Sequence, residues 1–164
     1  MHPNATLIEQ FYNCFSRGDF EGMKKCLHPD VRFTDLGFQL HGKEVGAMWH
    51  MICENGIKVT YGSIQANETE GSAHWECDYL FHQKESSCAM PVHNVVDATF
   101  TFQDGLIRHH EDRCDYKKWV RQALGWTGFL VGWLPFMPAV IRAKAREKID
   151  NFIFNKKNPH PQYD

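Results

Sequence analysis

The residues best suited to chemistry lie in VVDATFTFQDGLIRHHEDRCD, positions 95–115. Asp97 interrupts a strand-like run of Val, Ala, Thr and Phe, and a second run carries His109, His110, Glu111 and Asp112. Sheet interiors rarely accept a carboxylate, because an unpaired buried charge costs several kcal/mol or is neutralised by a shifted pKa. If Asp97 points inward, alternation puts His93, Val95 and Thr99 on its face, with few charges to hold an anion. The expectation is an Asp97 that is protonated near neutral pH and donates to a ligand oxygen. Asp112 on the adjoining strand would raise its pKa further. Carboxylates that share a dry pocket cannot all ionise, so one serves as acid while another, or a histidine, serves as base. The competing reading is a structural Asp97 that binds a backbone amide or a neighbouring histidine.

Positioning such groups needs a sheet. IKVTYGSIQANE, SAHWECDYLFHQ, PVHNVVDATFTF and LIRHHEDRCDY read as four long strands of period two, with a turn at Gln103-Asp104-Gly105. Ahead of them, Thr6 and Glu9 form a capping-box pattern, and Leu7, Phe11, Cys14 and Phe15 give one apolar helical face ending at Gly18. A short helix is expected across Phe20–Leu27, a strand from VRFTDLGF, and a third helix over Lys43–Glu54. Leading helices and then an antiparallel sheet define an α+β class. On the strand carrying Trp75, the residues Trp75, Cys77, Tyr79 and Phe81 form an apolar face, against His74, Glu76, Asp78 and His82.

At 164 residues, 43% hydrophobic and 23% charged, the chain fits one domain with a substantial core. Residues 1–116 carry nine Lys/Arg against seventeen Asp/Glu, and residues 117–164 carry nine against three. An acidic body with a basic tail can pair with itself, with a second subunit or with an anionic surface. No reading motif accompanies the basic segment, so nucleic acid is not an expected partner. Six cysteines without metal-finger spacing read as reduced thiols of a cytoplasmic protein. His109-His110-Glu111-Asp112 splits between two faces, so no metal site is expected. Cys114 as a nucleophile would lack an oriented base.

The phrases IEQFYNCFSRGDFEGMKKCLHPDVRFTD and VVDATFTFQDGLIRHHEDRCDY, within Leu7–Tyr116, resemble the nuclear transport factor 2-like superfamily, and more closely its SnoaL-like and ketosteroid-isomerase-like branch. That resemblance implies a sheet curled around helices as a cone with an apolar pocket. Residues 1–116 would be the cone and 117–164 a C-terminal helical extension of the same domain. It further implies Asp35 at the base position and Asp97 at the acid position of such isomerases, a chemistry built on one neutral and one ionised carboxyl. Their tyrosine position falls on Phe11, with Tyr12 beside it. In similar proteins the positions of His110, Asp112 and Cys114 face inward. The implied catalytic set is Asp35, Asp97, Asp112, His110 and His93. The pocket walls would come from Phe11, Tyr12, Phe15, Trp75, Tyr79, Phe81, Val95, Thr99 and Cys114. Asp35 could instead cap the turn before Leu36-Gly37.

The function these residues point to is cofactor-free acid/base catalysis on a small apolar carbonyl compound, such as a polyketide or steroid-like molecule. A non-catalytic module for an apolar ligand is the alternative, and an interaction domain like the transport factor itself ranks third. A homodimer is implied by the resemblance. In the extension, Ile141, Ala145, Ile149, Phe152 and Ile153 make an apolar stripe, with Arg142, Lys144, Arg146 and Lys148 on other faces. The stripe is expected to pack on protein, not membrane, although the sequence leaves peripheral contact by this basic helix open. WTGFLVGWLPFMP is apolar enough to close a pocket mouth or to bury a dimer face, and its glycines and prolines argue against a spanning helix.

Overall fold

The computed structural model describes residues 1–82, 89–154 and 161–163, the side chains of 126–131 and 161 excepted. Helices α1 (Pro3–Ser16) and α2 (Phe20–Lys25) lead into strand β1 (Leu27–Thr34), short β2 (Gln39–His41) and helix α3 (Lys43–Glu54). Strands β3 (Lys58–Ala66), β4 (Glu70–His82), β5 (Ala89–Gln103) and β6 (Leu106–Cys114) follow, then helices α4 (Tyr116–Val131) and α5 (Met137–Ile153) and a 3-10 turn (Pro161–Tyr163). One curved, unclosed sheet has the order β2-β1-β6-β5-β4-β3. β1 runs parallel to β6, and every other neighbouring pair is antiparallel.

The expected α+β class holds, with local differences that have causes. α1 begins at Pro3, where the missing amide costs nothing in a first turn, and His2 caps it through Nδ1 to the Asn4 amide. The Thr6/Glu9 pattern therefore lies inside the helix. α2 stops at Lys25, before the expected Leu27, because Leu27 already belongs to β1. β2 is only three residues long, too short to show a period.

The β5–β6 hairpin sets the geometry of the site. Asp104 and Gly105 both take positive φ (54° and 74°), as a two-residue hairpin turn requires, and Gln103 pairs with Leu106. Continued without interruption, that register would set Asp97 opposite Asp112. A one-residue bulge intervenes: Phe102 pairs with Ile107, but Thr101 pairs with His109, leaving Arg108 over. Beyond the bulge Asp97 faces Arg113, and Ala98 faces Asp112. A single-residue slip exchanges the two faces of a strand. The slip falls on β6, which buries Ile107 before it and His110 and Asp112 after it, while β5 alternates without a break, with Val96, Ala98 and Phe100 buried and Asp97 and Thr99 exposed.

α1 and α3 fill the inner face of the sheet. Ile8, Phe11, Tyr12 and Phe15 from α1 and Met48 and Trp49 from α3 meet Phe33, Trp75, Phe100 and Ile107 from the strands. Each such side chain contributes roughly 1.5–3 kcal/mol by leaving water. Tyr12 is as completely buried as Phe11, so the α1 stripe is wider than the one centred on Leu7.

The extension is part of this packing. On α5, Ile149 and Ile153 join the core and Phe152 packs against it, so that much of the expected stripe lies against protein. Arg146 ties the helix down through Glu44 (2.7 Å) and Asp150 (2.9 Å). α4 crosses the far ends of β4 and β5: Trp119 Nε1 donates to Tyr79 Oη at 2.7 Å, and its ring meets Phe81 edge-on. Among the described residues, no helix is long and apolar enough to cross a membrane.

Candidate functional site

β6 delivers the central pair. Its parity points His110 and Asp112 to the core side, and both are buried. His110 Nε2 lies 2.9 Å from Asp112 Oδ1, and Trp75 Nε1 donates to the same oxygen at 3.3 Å. An anionic Asp112 accepts from both; the imidazole then carries its proton on Nε2 and leaves Nδ1 with a free lone pair. Four aromatic rings enclose the imidazole. Trp49 stacks on it (5.7 Å, 17°), Phe11 and Phe33 meet it edge-on at 5.5 and 5.1 Å, and Phe100 lies 4.4 Å away. His110 Nδ1, Trp49 Nε1 and Tyr12 Oη are all buried without a hydrogen-bond partner among the described residues. Buried polar atoms in native proteins are nearly always paired, which makes these three atoms the candidate contacts for a ligand.

β1 brings the second carboxyl. It runs beside β6 with Phe33 opposite His110 and Thr34 opposite Glu111, and the chain then turns at Asp35. Asp35 Oδ1 accepts the Gly37 and Phe38 amides at 2.7 and 2.6 Å, so the carboxyl does cap the turn. Burial nonetheless pushes its pKa up to about 6. The two amides oppose that rise, the Asp112 charge adds to it and His110 works against it. Burial likewise drives the Tyr12 hydroxyl well above its ordinary value, with the Asp112 charge adding to the effect. Asp35, Asp112, His110 and Tyr12 thus share one electrostatic neighbourhood.

The other expected residues divide by face. Phe11, Tyr12, Phe15 and Trp75 are buried around this centre, and Tyr79 and Phe81 continue the same face of β4 toward α4. Cys114 is half-buried near the end of β6; burial raises its thiol pKa, with Asp35 contributing. Asp97, His93, Val95 and Thr99 are corrections. They sit on the face of β5 opposite the buried Val92, Val96, Ala98 and Phe100, and the Asp97 side chain is 82% exposed. There it belongs to an alternating row: Asp97 Oδ1 with His74 Nδ1 (2.9 Å), His74 Nε2 with Glu76 (3.4 Å), Glu76 with His93 Nε2 (3.5 Å), and His93 Nδ1 with Asp78 (2.9 Å). Asp97 is therefore a partner of a neighbouring histidine, the structural role weighed against catalysis, and it cannot donate to a ligand inside.

Trp49, Phe33 and Phe100 were not singled out as site residues, although they form most of the shell around His110. Their side chains meet only because α3, β1 and β5 converge, which no local spacing reveals. Among the described residues, no group of three or more His, Cys, Asp or Glu side chains could hold a metal ion. A groove of about 420 Å³ opens where β6 gives way to α4, lined by Asn94, Val95, Asp97, Arg113, Cys114, Asp115, Lys118 and Trp119, so Val95 and Asp97 border it from the outer face of β5.

The chain resembles several solved structures at low identity. A candidate polyketide cyclase from Xanthomonas campestris pv. campestris superposes with a TM-score of 0.61 at 22% identity, covering 73% of this chain and 96% of that one. An LEH-like epoxide hydrolase of M. tuberculosis gives 0.61 at 18%, covering 81% and 96%. TsrD of Streptomyces laurentii gives 0.61 at 19%, covering 74% and 94%. At these identities the likeness shows the fold alone. None of the curated proteins compared matches. The family model for the SnoaL-like domain matches residues 8–110, well over half the chain, and takes in α1 from Ile8 on, the turn at Asp35, Asp97 and His110. The chain belongs to the SnoaL-like domain family.

Proposed function

We propose that the protein performs cofactor-free acid/base chemistry on a small apolar carbonyl compound of polyketide or steroid-like character, by isomerisation, cyclisation or dehydration. The observation that carries this reading is the buried His110, held by Asp112 at one nitrogen and unpartnered at the other inside an aromatic shell. Nδ1 is the base in this scheme. It takes a proton from the carbon next to the carbonyl, and the resulting imidazolium is stabilised by Asp112. The electron pair moves onto the carbonyl oxygen, which becomes an enolate. Asp35, partly protonated near neutral pH, and the Tyr12 hydroxyl supply donors for that oxygen. The imidazolium then returns its proton, to another carbon in an isomerisation or to a leaving hydroxyl in a dehydration. In a cyclisation the enolate carbon bonds to a second carbonyl whose oxygen takes the proton.

The test is binding of enolate-like ligands. A phenolate-forming ligand should bind the wild type about tenfold or more tightly than a neutral analogue of the same shape, because it matches the intermediate. His110→Phe, which keeps an aromatic ring in an aromatic shell, should abolish that preference. Equal affinities in the wild type would defeat the reading. A second reading, a non-catalytic module for an apolar ligand, is favoured by one observation: Asp35 Oδ1 is already engaged by two turn amides. It predicts tight binding with no charge preference and no product.

A further inference from the structure

The loop between α4 and α5 leaves Trp133, Leu134, Pro135 and Phe136 exposed in succession, with Val140 exposed one turn into α5. Trp133 is 72% and Phe136 56% accessible, and neither stabilises the fold by burial. Side chains of consecutive residues point in different directions. Exposure of four in a row therefore means that the fold covers no flank of this loop completely, with Leu134 still 38% accessible. A rigid partner would cover one side of such a loop tip, whereas a fluid apolar phase covers all of it.

The charges around the tip have one sign. From 117 to 148 the chain carries seven Lys/Arg and a single acid, Glu147. Arg146 is committed to Glu44 and Asp150, but Lys117, Lys118, Arg121, Arg142 and Lys144 are all exposed. The Lys117 ammonium stands 4.7 Å over the Trp133 ring, which ties the basic collar directly to the tip. Arg142 and Lys144 follow Phe136 within about 12 Å along α5. An aromatic tip inside a cationic collar is the pattern of an interfacial anchor, with Trp at headgroup depth and Lys/Arg against acidic lipid.

We propose that this tip is a peripheral membrane contact: Trp133 and Phe136 enter the interface of an anionic bilayer, and the basic collar sits on its headgroups. The buried α5 stripe takes no part. The proposal is independent of the acid/base reading, since none of these residues belongs to the buried centre. It also gives α4 an orientation. The helix that crosses the sheet beside Tyr79 would lie next to the bilayer, from which an apolar molecule could reach the groove at Cys114.

The experiment is flotation of the 164-residue chain with two vesicle types, one of phosphatidylcholine alone and one with about a third phosphatidylserine. Retention is expected on the acidic vesicles and should be weak on the neutral ones. Trp133→Ala with Phe136→Ala should lower partitioning about tenfold or more. Arg142→Gln and Lys144→Gln should each lower it about fivefold. All four positions are exposed, so unchanged thermal melts would show that the variants fold. Absence from acidic vesicles would overturn the proposal, and so would binding that ignores the double tip variant. Lipid-free sedimentation supplies the remaining arm. Self-association that depends on Trp133 and Phe136 would assign the tip to a second copy and overturn the lipid contact.

Discussion

His110 Nε2 stands 2.9 Å from Asp112 Oδ1, and neither side chain reaches solvent appreciably (0% and 6% exposed). Removing one member of such a pair leaves the other desolvated and alone. Asp112→Ala leaves two buried donors, Trp75 Nε1 and His110 Nε2, without an acceptor and should lower stability by about 2–5 kcal/mol. Asp112→Asn keeps an oxygen for Trp75 Nε1 and His110 Nε2, and should cost under about 2 kcal/mol. Denaturant melts of the two variants separate these cases. Equal losses would mean that the negative charge, and not the position of an acceptor oxygen, is what the pair requires.

Asp35 gives stability a pH dependence of unusual sign. Its pKa is raised from 3.8 to about 6 in the folded chain, so between about pH 4 and 6 the folded state binds more protons than the unfolded state. Stability from this group is fully present below pH 4 and is lost as the pH rises through about 6. Asp35→Asn, which retains an acceptor for the Gly37 and Phe38 amides, should flatten that decline. It should also stabilise the protein at pH 7 by about 1–2 kcal/mol. Melts at pH 4.5 and 7, two points inside and above the window, test this; an unchanged difference between them would refute it.

On the outer face, the His74 pKa is raised chiefly by its hydrogen bonds to Asp97 and Glu76. Any stability from this group is present below the ordinary histidine value and fades as the pH rises through the raised one. Asp97→Asn should lower the His74 titration midpoint, as followed by NMR of its ring protons. Exposed pairs of this kind are worth at most about 1 kcal/mol, so melts should hardly move. Ligand affinity should be untouched. A variant that loses binding would return Asp97 to the functional set.

Gly125 bends α4 with φ 59° and ψ −140°, a combination that side chains avoid. A Cβ there would also come within 3.3 Å of Met90 Cε. Gly125→Ala should cost about 1–3 kcal/mol. It should also speed amide exchange in α4, including the turn carrying Trp119, while leaving α1 and α3 protected. Uniform exchange across the chain would show that the bend is not a local hinge.

Much of the fold is legible because its signals are local. Alternation defines β4 through Trp75, Cys77 and Tyr79, and Asp104-Gly105 closes β5 on β6. Alternation alone does not say which face of β5 turns inward, so it leaves the side of Asp97 open, and the bulge at Arg108 leaves no mark in the pattern of β6. One usable signal was present. Val92, Val96, Ala98, Phe100 and Phe102, with Asn94 among them, make a more apolar face of β5 than His93, Val95, Asp97, Thr99 and Thr101. Hydrophobic burial favours the first face over one holding a lone carboxyl. His110 and Asp112 were reached through family resemblance, whereas the Trp49 and Phe33 shell depends on contacts far apart in sequence.

β5 outruns β6, whose last pair joins Cys114 to Val96, so the backbone of His93 faces no strand on that side. Gln122 of α4 occupies the place. Its Oε1 accepts the His93 amide at 2.7 Å, and its Nε2 donates to the His93 carbonyl at 3.0 Å. One side-chain amide thus stands in for one residue of a missing strand. Uncovered sheet edges recruit the edges of other molecules and seed aggregation, a hazard that proteins blunt by covering them. By this bond α4 acts as a guard against intermolecular strand addition, and a chain with Leu at 122 would be expected to lose solubility on storage before it loses its fold.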